Sequence, residues 1–144
     1  MQRDIVNDIN VLGAVHGTTN TNAPVQSGIV PFAKYDAVAF LIITGVLADA
    51  DATFAAGLTV GDDPALGDGV ALTDATNADD LIGTLAAAGF THADGGKVFK
   101  VGYKGSRAYG QLTVTPTGNA DAAGITIVPV LGHPRTAPTP NPPA

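Results

Sequence analysis

The sequence predicts an all-β protein: a single antiparallel β-sandwich of jelly-roll or immunoglobulin-like kind, with one short helix and extended arms at both ends. Three observations support this prediction. The 144 residues include 18 Gly and 10 Pro, which shape turns. All 13 acidic residues are Asp, which favours turns over helix interiors. Short apolar stretches alternate with turn signals, as in sandwiches, and the length suits one domain.

The N-terminal part, residues 1–24, is predicted to be an arm that carries one or two edge strands. Residues 5–15 are rich in branched apolar side chains but have no helical stripe. The sandwich domain is predicted at residues 25–132. Its first strand covers residues 25–31, and Pro31 limits it to the edge of a sheet because proline has no N–H to donate.

The clearest strand covers residues 35–46, which are apolar at consecutive positions. Such a strand is predicted to be central and covered on both sides. Its two faces carry Val38, Phe40 and Ile42 on one side and Ala39, Leu41 and Ile43 on the other. A further strand is predicted at residues 53–61, followed by a long loop with a possible short strand at residues 70–72.

Residues 77–89 are the one predicted helix. Thr76 or Asn77 can cap it, and two aspartates follow in the first turn, where the helix dipole favours anions. Leu81 and Leu85 lie at i,i+4 spacing, and Gly89 can end the helix.

The C-terminal part is predicted to contain a hairpin, a last strand and an arm. Residues 97–103 and 107–117 form the hairpin across residues 104–106, and the second strand alternates between apolar and polar positions. Residues 125–131 form a strand that is apolar on both faces. Residues 133–144 hold five prolines and are predicted to be an extended arm.

Composition and charge exclude several classes of function. With no Cys, the chain has no disulfide, thiolate nucleophile or Cys-zinc site. A net charge of −6 opposes nucleic-acid binding, which needs cations to neutralise phosphates. The longest apolar run, residues 37–43, is far shorter than the ~20 residues that span a bilayer. No signal peptide is visible, so we expect a soluble protein made in a cytoplasm.

No residue pattern indicates catalysis, a metal site or a cofactor, and the chain is predicted not to be an enzyme. The histidines His16, His92 and His133 have no metal-ligand spacing. Paired aspartates are the residue type of calcium sites, but no EF-hand loop occurs, and turn or cap chemistry is the alternative interpretation. These pairs are Asp49 and Asp51, Asp62 and Asp63, and Asp79 and Asp80.

Two short segments are candidates for contact with other proteins. Lys104 and Arg107, flanked by Tyr103 and Tyr109, are of the residue types found at contact tips; the alternative is a solvated hairpin end. The segment His133, Pro134 and Arg135 is either a docking arm or the last ordered part before a flexible tail.

The order of these motifs resembles small virion proteins of tailed bacteriophages. The similarity rests on the opening at residues 4–9, the Thr-Asn-Thr-Asn loop, the strand from Tyr35, the Tyr103–Tyr109 segment, and the Gly-His-Pro-Arg exit at residues 132–135. The family usually has Lys-Arg-Tyr in the hairpin, whereas here Ala108 stands between Arg and Tyr.

The resemblance implies a capsid decoration, or cement, protein. Such a protein binds the outer surface of the phage head and bridges neighbouring major capsid proteins, here as a homotrimer made in the host cytoplasm. Two alternatives stay open: another virion role, such as a head fibre base or tail component, and a carbohydrate-binding sandwich. The absence of Trp and the total of eight Phe and Tyr oppose the carbohydrate interpretation.

Overall fold

The computed structural model describes residues 4–142, which form two antiparallel sheets packed face to face, so the prediction of an all-β sandwich is confirmed. Sheet A contains β1 (Ile9–Val11), β2 (Val15–Thr19), β5 (Tyr35–Leu47), β8 (Leu81–Ile82), β10 (Val98–Tyr103) and β12 (Ala123–Pro134). Sheet B contains β3 (Val25–Gln26), β4 (Val30–Pro31), β6 (Thr53–Gly61), β7 (Val70–Ala71), β9 (Phe90–Thr91) and β11 (Tyr109–Thr117).

The strand order is that of a jelly roll. In sheet A, β1 and β2 both pair with β12, which is followed by β5, β10 and β8. In sheet B, β3 and β4 both pair with β11, which is followed by β6 and then by β7 and β9. The long strands change sheet from β5 to β6, from β10 to β11 and from β11 to β12. The first and last strands are therefore neighbours, as two Greek keys require.

The predicted hairpin of residues 97–117 is wrong. The two strands exist, but β10 pairs with β5 and β8 in sheet A, whereas β11 pairs with β3, β4 and β6 in sheet B. Residues 104–108 are therefore a corner that carries the chain from one sheet to the other. A short turn between two β-patterned segments favours a hairpin locally, but here each strand gains more pairing from a distant partner.

The predicted helix at residues 77–89 is also wrong. The segment holds a 3-10 turn at Ala78–Asp80 and the short strand β8, in which Leu81 pairs with Tyr103. The carboxylate of Asp74 accepts the backbone N–H groups of Leu85 at 2.7 Å and Ala86 at 2.9 Å. These two N–H groups are therefore satisfied without a helical ladder. Within residues 4–142 no helix is long and apolar enough to span a membrane.

The two central strands of sheet A, β5 and β12, carry the core on their inner faces. Alternate residues are fully buried there: Phe40, Ile42, Ile125, Ile127 and Leu131. They pack on Leu58, Val60, Leu112 and Val114 of sheet B. Each fully buried side chain of this size stabilises the fold by about 1.5–3 kcal/mol.

The opposite side of these strands is not covered by any described part of the chain, so the prediction that residues 35–46 are covered on both sides is wrong. Ile43 is 38% exposed, and Leu41 and Val128 are partly exposed. We call this side the outer face of sheet A. By strand register, its outward residues other than Gly include Ile9, Val11, His16, Thr18, Ala37, Ala39, Leu41, Ile43, Ile82, Val98, Lys100, Thr126, Val128 and Val130.

One edge of the sandwich is closed by a contact between two glycines. Gly13 separates β1 from β2 with φ +72°, and Gly28 separates β3 from β4. The Gly28 N–H donates to the Gly13 carbonyl at 2.8 Å. A Cβ on Gly28 would lie 2.9 Å from the Gly13 Cα, which is closer than such atoms approach. The backbones of the two sheets can therefore meet here only without side chains.

We expect Gly28→Ala to lower the free energy of unfolding by about 1–3 kcal/mol, since backbone must shift to admit the methyl group. Chemical denaturation measures the change. The control is Gly57→Ala in β6, where an added Cβ would meet only the Thr113 carbonyl at 3.9 Å. That variant should be neutral or slightly stabilising. Equal stabilities of the two variants would contradict the close contact.

Candidate interaction interface

The corner at residues 104–108 is built over a buried tyrosine. Tyr103, the last residue of β10, is only 4% exposed, and its ring lies 5.3 Å from that of Phe32. Its hydroxyl accepts the backbone N–H of Arg107 at 3.1 Å. Burial raises the pKa of Tyr103, which keeps the hydroxyl neutral. Of the predicted contact residues, Tyr103 is therefore the one whose side chain supports the corner from below and does not reach the surface.

Arg107 fastens the corner to the loop that follows β6. Its Nη1 donates to Asp62 Oδ2 at 2.7 Å, while Asp62 Oδ1 accepts the N–H of Ala108 at 3.1 Å. The Asp62 carboxylate raises the pKa of Arg107. Arg107 is 43% exposed, so solvent screens this ion pair. The pair therefore fixes the position of the corner and adds little to the free energy of unfolding.

Asp68 orders the same loop from the other side. Its carboxylate accepts the N–H groups of Asp62 and Asp63 at 2.9–3.1 Å. These two bonds lower the pKa of Asp68. The Arg107 corner therefore depends on a chain of contacts that starts at Asp68.

The Gly-His-Pro-Arg exit includes the last residues of β12, where Gly132 pairs with Ala37 and Pro134 with Tyr35. His133 is exposed and has φ 49°, which turns the chain. The Arg135 N–H donates to the Lys34 carbonyl at 2.9 Å, and its Nε lies 3.8 Å from Asp36 Oδ1.

The structure brings most of the predicted contact residues to one end of the sandwich. Lys104, Arg107 and Arg135 line one groove there, although Arg135 is far from the other two in sequence. Tyr109, Pro134 and Arg135 line an adjoining groove with Lys34. His133 borders a separate groove beside residues of the N-terminal segment. We call Lys34, Lys104, Arg107 and Arg135 the basic end; it holds four of the seven Lys and Arg residues of the chain.

The C-terminal arm begins beside the basic end and folds back on the N-terminal segment. Thr139 is buried, and its N–H donates to the Asn7 carbonyl at 3.1 Å. Its hydroxyl donates to the carbonyl of Ile9 at 2.5 Å. Residues 143 and 144 lie outside the described residues, as do residues 1–3.

The aspartates expected in turns perform that chemistry. Asp49 accepts the N–H groups of Asp51 and Ala120, and Asp63 accepts that of Ala65. No grouping of three potential metal-ligating side chains occurs within the described residues. Of the histidines, His16 shares a 2.8 Å hydrogen bond with Thr126.

Sequence reasoning missed three features of this surface. No sequence pattern marks Lys34 and Asp36 as contact residues, since their role depends on the position of Arg135. Thr139 was hidden in a tail without apolar periodicity. The outer face of sheet A is visible in the sequence, because β5 and β12 are apolar at consecutive positions. This pattern predicts burial, but it does not show whether the covering surface belongs to the same chain.

No protein-family model matches the chain, and no relative is found among curated proteins.

We expect the protein to lose stability in acid through its turn aspartates. Hydrogen bonds from backbone or lysine N–H groups hold the pKa values of Asp49, Asp68 and Asp94 below 3.8. A lowered folded pKa stabilises the fold above the unfolded pKa, and the contribution is lost as the pH falls through the folded value. The melting temperature should therefore hold from pH 7 to about 5 and fall below about 4.

Asp68→Asn should lower the melting temperature at pH 7 and weaken its decline in acid. Asp79→Asn is the control, because it makes the same change of charge at an exposed position of the 3-10 turn. Thermal melts across pH 3–7 give the comparison. An Asp68→Asn profile parallel to that of the unmodified protein would refute the role of this carboxylate.

Proposed function

We propose that this protein is a capsid decoration protein of a tailed bacteriophage. In this role it binds the outer surface of the head and bridges neighbouring major capsid proteins, so that the particle resists internal genome pressure. The observation that carries the proposal is the convergence of two separate motifs, the corner at residues 104–108 and the exit at residues 132–135, on one basic end.

The charge distribution favours a protein partner with an acidic surface. The chain has a net charge of −6, yet four of its cations lie together at one end. Asp36 and Asp62 lie against two of them, so the end carries a smaller positive charge than four cations alone would give. Lys104 and Arg135 are exposed, and Arg107 is held in place by Asp62. A cationic patch on an acidic protein orients its approach to a surface of carboxylates and disfavours approach by its other sides.

The corner and the exit also supply the residue types of protein contacts. Arg and Tyr are enriched in such interfaces, and Arg135 borders both grooves with Tyr109 beside it in one of them. Many copies on one particle would each hold by modest contacts. A copy that touches two capsid subunits gains from a high effective concentration, so weak individual contacts sum to durable attachment.

The temperature at which phage heads release their DNA tests whether the protein acts as cement. Heads assembled without it should form but release DNA at a lower temperature than decorated heads, because the bridges between capsid proteins are missing. Adding the purified protein back should restore the release temperature. Identical release temperatures for bare and decorated heads would contradict the cement role and favour a head fibre base or tail component.

The basic end is tested by reversing one charge. Lys104→Glu should weaken binding to heads roughly fivefold to tenfold at low salt, with less difference at high salt, where charge contacts are screened. Lys97→Glu is the control: it makes the same change of net charge, and Lys97 pairs with Asp94 at the opposite end of β10. Sedimentation of heads with bound protein gives the affinity. Arg107 is unsuitable because its partner Asp62 also accepts the Ala108 N–H, so its replacement would disturb the corner itself.

Equal loss of binding in the Lys104→Glu and Lys97→Glu variants would mean that net charge, and not the basic end, governs attachment. Circular dichroism should show an unchanged fold for both, since exposed charges contribute little to stability.

A further inference from the structure

The outer face of sheet A has the composition of a buried surface. Val98 and Ile82 are 60% and 58% exposed, and between them and β12 lie Ala39, Leu41 and Ile43. Antiparallel sheets that face water normally alternate apolar with polar residues, whereas β5 and β12 are apolar on both sides. Exposed apolar patches of this kind mark interaction sites.

The charges of this face separate it from the rest of the molecule. The chain carries 13 aspartates, but none occupies an outward strand position of the face, where the single charged side chain is Lys100. Three aspartates border one end of the face, beside Ala37 and Gly132: Asp4, Asp8 and Asp36. Two acidic molecules repel one another through most of their surfaces. They can meet through the centre of this face, around Leu41 and Ile43, without bringing carboxylates together.

We propose that the outer face of sheet A is the surface through which a second copy of this chain packs, sheet against sheet. A copy of the same face supplies an apolar partner whose strand positions carry no carboxylate. Leu41 and Ile43 would lie near the centre of the contact, and Val98 and Ile82 toward one side. The long stem of Lys100 can cover apolar surface while its ammonium group reaches water.

The size of the face places this association among the weak, reversible contacts. Across the strands, the face is five strands wide, and neighbouring strands are about 4.8 Å apart. Along the strands, it extends from Ala37 to Ile43 at about 3.3 Å per residue, so each copy offers roughly 400 Å². Two copies would bury roughly 800–1,000 Å² together, at the lower limit of specific interfaces. We therefore expect reversible association at micromolar concentration.

The contact is tested on the purified protein alone, so its outcome is independent of the proposed attachment to capsids. In sedimentation equilibrium, the average mass should rise above the 14.4 kDa of one chain as the concentration increases. The variant with both Ile82→Glu and Val98→Glu should weaken association at least tenfold, because carboxylates would be buried against an apolar face. Both positions are more than half exposed, so the fold should persist.

A matched control carries Ile29→Glu and Val70→Glu, which make the same change at exposed apolar positions outside this face. The control should associate like the unmodified protein. A mass of two chains supports the proposal if only the Ile82 and Val98 variant lowers it, whereas a mass of three chains contradicts the packing of this face on its own copy. An unmodified protein that stays at 14.4 kDa at millimolar concentration, or an assembly that both variants weaken equally, overturns it.

Discussion

The pairing of β5 with β12 is the constraint on which the rest of the structure depends. The two strands run side by side from Leu47 and Ala123 to Tyr35 and Pro134, and their inner residues form the centre of the core. This pairing joins segments far apart in sequence. It also brings Arg135 back to Lys34 and Asp36, and so completes the basic end from residues that no local pattern connects.

Aspartate carboxylates hold the loops in place by accepting hydrogen bonds. Asp62 and Asp68 hold the loop after β6 against the corner at residues 104–108, and Asp74 satisfies N–H groups that a helix would otherwise pair. A short side chain with two acceptor oxygens suits this role, because it reaches nearby backbone without crossing to another element. The exclusive use of Asp as the acidic residue is consistent with a fold made mostly of strands and fixed turns.

The sequence predicts the local pattern of the strands well and their partners poorly. In β11, Leu112 and Val114 point inward and Thr113 and Thr115 outward, as the alternation indicates. The choice between a hairpin and a change of sheet after Tyr103 depends on distant strands, so turn chemistry could not decide it. The helical pattern from Asn77 was likewise overridden, because Leu81 pairs with Tyr103 and Leu85 is buried in the core. For the candidate site, the motifs were visible, but their convergence and the burial of Tyr103 needed the fold.

The hydrogen bonds of Thr139 fasten the last described part of the chain to its first. With the Thr139 N–H on the Asn7 carbonyl, the N-terminal and C-terminal segments lie side by side next to β1. In topological terms the backbone is close to a ring. A short peptide that joins the segments around Asn7 and Thr139 would close this ring, and the chain could then be opened in another exposed loop without removing a strand pair. The order of strands along the chain would change while their arrangement in space stayed the same.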